Sequence, residues 1–318
     1  MTTPVDVSRR RAWLMAARPQ TLPAGASPVV LGIGLALHEG LFAALPAVAA
    51  LVGALLIQIG TNFANDYFDA MKGTDDPDRE GFTRVTAGGL IDPGTVRRAM
   101  VGTYGLAVLV GLYLVFVGGI PILLVGLSSI VAGVLYTGGP YPYGYYGLGD
   151  VFVFVYFGVV AVTGTYYVQA AAALQTVGPF PTALPAGTVP AVAVVTSLAA
   201  AGLSTAILVV NNIRDREEDA AAGKRTLAVL VGEVWSRVEF VVMVALGYVV
   251  PVVLWLGFAP EASVLLPLVT LPLAVRVARP VLTRTDGEVL NLALERTGQL
   301  FAVHSLLFAV GLAAPVVV

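Results

Sequence analysis

Long apolar runs, each about the length of a bilayer crossing, alternate along this chain with short polar stretches. A transmembrane helix needs roughly 20 consecutive apolar residues. By that measure the sequence predicts nine spans, near 21–38, 42–64, 97–117, 120–138, 150–172, 189–210, 237–258, 262–279 and 297–318. Turn residues separate them. Gly118-Gly119 with Pro121 divides the third from the fourth. Gly178-Pro179-Phe180-Pro181 and Pro185 mark a loop after the fifth, and Gly257 to Pro260 a tight turn after the seventh. The eighth carries Pro267 and Pro272, tolerated in a membrane helix when neighbours satisfy the freed carbonyls. The expected fold is all-α: a polytopic membrane protein of about nine transmembrane helices forming a single domain over 1–318.

Composition agrees with that reading. Of 318 residues, 57% are hydrophobic and 12% charged, against about 25% charged in an ordinary soluble domain. The mean hydropathy is +0.85. Cysteine is absent and only His38 and His304 occur, so a zinc site or a Ser-His-Asp triad has almost no material. The net charge of −2 points to no nucleic-acid partner. The distribution of positive charge is more informative. All 18 Lys and Arg fall in four segments: the N-terminal tail and the loops after spans two, six and eight. With nine spans these four lie on one side, which the positive-inside tendency assigns to the cytoplasm. Met1 to Arg18 is then expected to be a retained cytoplasmic tail, and the plasma membrane the expected location.

Two acidic clusters close the second and sixth spans, both on that face. The first contains Asn62, Asn65, Asp66 and Asp69, then Lys72 and Asp75; the second contains Asn211, Asn212, Asp215 and Asp219, then Lys224 and Arg225. Residues three or four apart share a helix face. Asn62, Asp66 and Asp69, like Asn211, Asp215 and Asp219, can therefore converge. Oxygen-only donors suit magnesium, which takes few carboxylates and completes its shell with waters and substrate phosphate. Ionisable groups at membrane depth are rare and usually functional. Facing carboxylate groups would repel unless cations lay between them, and such cations would attract a diphosphate. Lys72, Arg79, Arg84, Lys224 and Arg225 are placed to contact its outer oxygens, an arginine as a planar fork. A substrate with a diphosphate head and a long apolar tail suits this position at the mouth of a lipid-exposed bundle. The clusters lie four spans apart, which suggests a parallel four-helix repeat, about 19–140 and 150–280, plus a ninth helix.

The segment from Tyr136 to Asp150 joins spans four and five without a Lys or Arg. Its tyrosines suit a membrane-interface belt or a wall over the site, where ring faces stabilise a developing carbocation. Tyr136 and Tyr141 are candidates for acceptor contact, and Asp150 for orienting a hydroxyl or acting as a base.

Asn62-x-x-Asn65-Asp66-Tyr67-x-Asp69 with Lys72-Gly73-x-Asp75, and Asn212-x-x-Asp215-x-x-x-Asp219 with Gly223-Lys224-Arg225-Thr226-Leu227, resemble the UbiA superfamily of intramembrane aromatic prenyltransferases. Ala17 to Ala24, Gln58 to Asn62, Arg84 to Ile91 and Tyr136 to Pro140 resemble its 1,4-dihydroxy-2-naphthoate polyprenyltransferase group, which serves menaquinone synthesis. The resemblance implies two magnesium ions held by Asn62, Asn65, Asp66, Asp69, Asp75, Asn211, Asn212, Asp215 and Asp219, with Asp66, Asp69, Asp215 and Asp219 central to catalysis. It implies a polyprenyl diphosphate donor, a dihydroxynaphthoate acceptor, loss of carbon dioxide and demethylmenaquinone as product. Arg18 and Arg84 are candidates for the acceptor carboxylate or the diphosphate. The wider superfamily often carries a third Asp where this chain has Gly73, with Asp75 the nearest substitute. Alternatives are the same transfer to a hydroxybenzoate, homogentisate or glyceryl phosphate lipid, or a cation-coupled transporter. Transporters favour inverted repeats and sites at the bilayer midplane, whereas these clusters share one interface.

Overall fold

A computed structural model describes residues 7–74, 84–174 and 180–317. Among them there is no strand. A short helix α1 (Arg9–Ala17), capped by the Ser8 hydroxyl, leads through a 3-10 turn into α2 (Leu22–His38). Then follow α3 (Ala44–Lys72), α4 (Pro93–Leu135), α5 (Gly149–Val153), a π-helical stretch (Phe154–Val160) and α6 (Ala161–Leu174). The second half holds α7 (Ala191–Arg214), α8 (Arg216–Ala221), α9 (Leu227–Val231), α10 (Glu233–Gly257), a 3-10 stretch (Ala262–Thr270), α11 (Leu271–Thr283) and α12 (Gly287–Val317).

Among the described residues eight continuous segments are long and apolar enough to cross a membrane. One of them, α4, has 43 residues. Straight, it would run about 65 Å, twice the roughly 30 Å hydrocarbon core. It breaks at Gly119, whose φ of 65° and ψ of −151° lie outside the helical region. The two halves fold back on one another: a Cβ on Gly133 would stand 2.8 Å from the Tyr104 hydroxyl, although 29 positions separate them. The hairpin divides α4 into two crossings and restores the nine expected from the sequence. Several boundaries differ from expectation, and α3 runs on to Lys72, eight positions past its apolar run. The last helix begins at Gly287, ten positions earlier than its apolar run, because Leu290, Ala293 and Leu294 keep a buried face in its polar first turns. The eighth crossing opens as a 3-10 helix, with Pro267 inside it and Pro272 at the start of α11.

Lipid is as apolar as leucine, so membrane helices associate by close packing of small residues. Helix α7 is the hub, packed against α2, α6, α10, α12 and the π-helical stretch. Ala199, Ala200, Ala201 and Ala206 bring its backbone close to these neighbours. Helix α12 lies along α2 and closes the bundle. At that seam a Cβ on Gly34 would sit 2.4 Å from the Cα of Ala309. α4 is the opposite case, with Leu109, Leu112, Phe116 and Leu124 all more than half exposed, as suits a lipid-facing helix.

Among the described glycines, Gly119 leaves a side chain the least room. Its φ is positive, and a Cβ would fall 1.9 Å from the Pro181 carbonyl oxygen, which accepts from Ile120 N at 2.8 Å. Gly119→Ala is expected to destabilise the protein by at least about 1–3 kcal/mol from backbone strain alone. Thermal unfolding of the detergent-purified variant, read beside Gly126→Ala, whose Cβ would meet nothing within 4 Å, checks this.

Candidate active site

The last turns of α3 carry the first cluster. Asp66 and Asp69 are 1% and 2% exposed. A buried carboxylate is costly unless donors satisfy it, and the donors here come from distant loops. The stretch from Arg84 to Ile91 turns back on itself, with Gly88 N donating to Arg84 O at 2.9 Å and Leu90 N to Val85 O at 2.9 Å. This turn presents the Thr86 amide and hydroxyl to Asp66 Oδ2. It also places Arg84 Nη2 3.5 Å from Asp69 Oδ2. The other Asp69 oxygen, Oδ1, accepts the Tyr145 hydroxyl. Asn65 Oδ1 accepts from the Thr137 hydroxyl at 3.0 Å. Asn62 Nδ2 donates to Ala17 O and to Thr21 Oγ1, both at 2.9 Å. These bonds anchor Arg18, a non-glycine residue at φ 50° on the cavity rim.

The second cluster, at the junction of α7 and α8, is satisfied mainly from within. Arg214 grips Asp215 with two nitrogens, Nε on Oδ1 at 2.6 Å and Nη2 on Oδ2 at 2.8 Å. The same Nη2 donates to Asn211 Oδ1 at 2.8 Å, and Nη1 donates to Asn291 Oδ1 of α12 at 2.8 Å. Lys224 Nζ stands 3.6 Å from Asp219 Oδ1. Asn212 turns the other way, its amide 3.4 Å from both oxygens of buried Asp150.

The two clusters share one cavity of about 400 Å³. Asn62 and Asn65 from the first and Asn211 from the second line it, with Arg18, Arg84 and Arg214. Tyr145 also links the clusters: its hydroxyl is on Asp69, while Lys72 Nζ and Lys224 Nζ lie 5.0 Å and 4.9 Å from its ring centre. The far part of the cavity is apolar. Leu112 and Leu127 in its lining are 56% and 51% exposed, so it opens sideways where the bundle meets lipid. One wall is aromatic. The rings of Tyr143 and Phe152 stack at 3.9 Å, and Tyr136 meets Tyr143 edge-on at 5.4 Å. Burial, with Tyr156 and Tyr104 adding to it, pushes the Tyr143 phenol up. It stays neutral and donates to Ala132 O at 2.8 Å. The π-helical stretch adds Tyr156, Phe157 and Val160 to the same lining. Such distortions often occur at functional sites.

The UbiA prenyltransferase family model matches residues 26–313, which take in both clusters and most of the cavity lining between them. The chain belongs to the UbiA prenyltransferase family. It is 38% identical to the 1,4-dihydroxy-2-naphthoate octaprenyltransferase of Escherichia coli across 98% of this chain and 97% of that relative. Against the 1,4-dihydroxy-2-naphthoate octaprenyltransferase of Mycobacterium tuberculosis the identity is 39%, across 95% of this chain and 96% of that protein. Its fold is similar to that of a UbiA homolog from Archaeoglobus fulgidus solved with DMAPP and Mg2+, at a TM-score of 0.63 and 15% identity, over 95% of this chain and 99% of that one. The all-helical UbiA-like bundle expected from the sequence is borne out.

Within this UbiA-family bundle the candidate residues separate by position. Arg18, Asn62, Asn65, Arg84, Tyr136 and Asn211 line the cavity. Asp66, Asp69, Asp215 and Asp219 lie outside that lining, buried next to its polar residues among the donors already named. Asp150 and Asn212 are buried as a pair outside the lining. Tyr141 is 78% exposed and outside the lining, and Tyr143 takes a place in that wall instead. Arg225 donates its backbone N–H to Tyr145 O at 2.8 Å while its side chain is exposed. Asp75 and Arg79 lie outside the described residues. Among the described residues no three carboxylates or imidazoles converge as a ready metal group. The donors near the cavity are carboxylate and amide oxygens, and Gln58 Oε1 in its lining is buried without a hydrogen-bond partner among the described residues. That donor chemistry fits a hard divalent cation.

Sequence reasoning passed over Thr86, Arg214, Tyr145 and Asn291. Arg214 could have been found, since an arginine beside an aspartate at a membrane helix end needs a partner. With both side chains of the Arg214–Asp215 pair almost fully buried, removing one partner should be severe. Arg214→Gln is expected to cost about 3–5 kcal/mol, with Arg214→Gln/Asp215→Asn recovering part of the loss. Unfolding temperatures of the two variants in one detergent compare them directly.

Proposed function

We propose that this chain transfers a polyprenyl group from a polyprenyl diphosphate to 1,4-dihydroxy-2-naphthoate, releasing carbon dioxide and diphosphate and forming the hydroquinone form of demethylmenaquinone. It would act in the plasma membrane with the polar end of its cavity on the cytoplasmic side. The observation that carries this reading is a cavity with an oxygen-rich, cation-fringed end and an apolar end open to lipid. A substrate with a diphosphate head and an isoprenoid tail matches both ends, and the naphthoate relatives match nearly the full chain.

Asp66, Asp69 and Asn65 on one side, and Asp215, Asp219 and Asn211 on the other, would hold two magnesium ions. When bound, these supply Lewis-acid stabilisation of charge on the departing diphosphate. The chain's own residues supply the rest. Lys72, Arg84 and Lys224 neutralise the outer phosphate oxygens, with Arg84 in the lining and the two lysines beside Tyr145. Fixed cations aimed at developing charge lower the barrier because they need no reorganisation. The allylic C–O bond breaks with its electron pair leaving on the diphosphate oxygen. The Tyr136, Tyr143 and Tyr156 side chains border the space where the allylic cation forms, and ring faces favour a cation. The ring carbon bearing the acceptor carboxylate attacks that cation, forming the new C–C bond. The bond to the carboxylate then breaks, its electrons restore the aromatic ring, and carbon dioxide departs. Arg18 on the rim is suited to hold the acceptor carboxylate until then.

Asp66→Asn keeps an acceptor for Thr86, and Asp219→Asn keeps an oxygen beside Lys224, while each removes one negative charge. Each is expected to lower turnover by about 100-fold or more with the protein still accumulating in membranes. The check is prenyl transfer in isolated membranes with magnesium, dihydroxynaphthoate and a labelled polyprenyl diphosphate. Near-normal turnover in either variant contradicts the role given to these carboxylates.

A further inference from the structure

Tyr145 lies in the segment after α4 that carries no lysine or arginine, yet two ammonium groups come to it. Lys72 Nζ, from the end of α3, is 5.0 Å from its ring centre. Lys224 Nζ, from the loop after α8, is 4.9 Å away. The lysines are 152 positions apart in the chain, and their separation in space cannot exceed the sum of those two distances. Two like charges so placed repel, and an electron-rich ring face within about 6 Å of each offsets that repulsion. Each lysine has a second anchor. Lys72 Nζ donates to Thr137 O at 2.6 Å and Gly139 O at 3.2 Å. Lys224 is paired with Asp219 at 3.6 Å. The ring is their common point.

Tyr145 is itself held from both sides. Its hydroxyl bonds Asp69 and also lies 3.0 Å from Thr74 Oγ1, both at the first cluster. Its carbonyl accepts Arg225 N at 2.8 Å, at the second cluster. Its 3-10 turn (Tyr143–Tyr146) is tied down by Gly144 N donating to Tyr136 O at 3.0 Å. A tyrosine used only as membrane-belt decoration would not need these attachments.

We propose that Tyr145 is a positioning residue for the donor diphosphate: its ring fixes the Lys72 and Lys224 ammonium groups at the junction of the two clusters. This rests on the diphosphate reading above and adds the side chain that sets the geometry of its cations. The ring is the part that meets the two lysines, so Tyr145→Phe keeps their placement, while losing the hydroxyl bond to Asp69, and Tyr145→Leu loses the placement itself.

The test uses the full-length purified protein and inorganic pyrophosphate with magnesium, with binding read by calorimetry. Kinetics with a polyprenyl diphosphate and dihydroxynaphthoate accompany it. Tyr145→Phe is expected to weaken pyrophosphate binding by no more than about 3-fold, and Tyr145→Leu by about 10-fold or more, consistent with loss of two cation–π contacts. In Tyr145→Leu the donor KM should rise while the acceptor KM stays within 2-fold. In a Lys72→Gln/Lys224→Gln background, Tyr145→Leu should weaken pyrophosphate binding no further, because the groups it positions are gone. A merely structural tyrosine would show an equal loss in both backgrounds, and that result overturns the inference. So does a Tyr145→Leu variant that binds pyrophosphate as the parent does. If the parent protein fails to bind pyrophosphate at all, the diphosphate reading itself falls, and this inference falls with it.

Discussion

Four carboxylates buried at two helix ends constrain everything near the polar mouth of this bundle. Asp66, Asp69, Asp215 and Asp219 are each less than one-tenth exposed. Buried charge without partners is among the least tolerable features a fold can carry. The chain therefore brings donors from wherever it can: a loop threonine, two arginines, a tyrosine and a lysine. For the first cluster these donors come from segments far apart in sequence, so the loops over it are arranged by the demands of its carboxylates. Helix α3 ends in a Gly73 cap at φ 66°, and the chain returns at Arg84 to place Thr86 and Arg84 over the carboxylates it has just left.

Beneath this charged rim the bundle solves a different problem. Its helices gain little from hydrophobic burial in lipid and depend on close approach of their backbones. The alanine-rich α7 and the Gly34–Ala309 seam provide that approach. α4 is folded in two on the opposite flank and leaves much of its surface to lipid. The cavity opens on the α4 side. A tight half and an open half therefore coexist, and the second acidic cluster sits at the end of the tight half while the apolar lining reaches the open one.

This division explains what was legible in the sequence. Spans are visible because each must independently present about 20 apolar residues, and Gly118-Gly119 had to break a run twice too long for the bilayer. The acidic clusters are visible because charge at a membrane helix end is rare and the three–four spacing of the aspartates is local. Their partners are not. Nothing in the sequence near Thr86 signals that its hydroxyl meets Asp66, 20 positions earlier, or that Asn291 meets Arg214, 77 positions before it. Tyrosine identity in the segment after α4 was equally silent. Tyr141, Tyr143 and Tyr145 alternate within five residues, yet one is exposed, one stacks in the cavity wall and one binds two lysines. Only the 3-10 turn and its tertiary anchors separate them, and neither follows from local pattern.

The clusters also differ in how they are held, and the difference bears on how a donor would engage them. In the second, Arg214 and Lys224 satisfy Asp215 and Asp219 from the same stretch of chain, with Asn291 as the cross-brace to α12. That half of the site is set as soon as α7 and α12 pack. In the first, Asp66 and Asp69 depend on two loops, one bearing Arg84 and Thr86 and the other Tyr145. The Arg84–Ile91 stretch must seat Val85 and Ile91 in the core before Thr86 and Arg84 reach those carboxylates. The second cluster is therefore the standing half of the site and the first is the half assembled by loops. On the reading proposed above, a diphosphate spanning both clusters would be met on one side by groups that helix packing fixes and on the other by groups that two anchored loops deliver, in place before its charge develops.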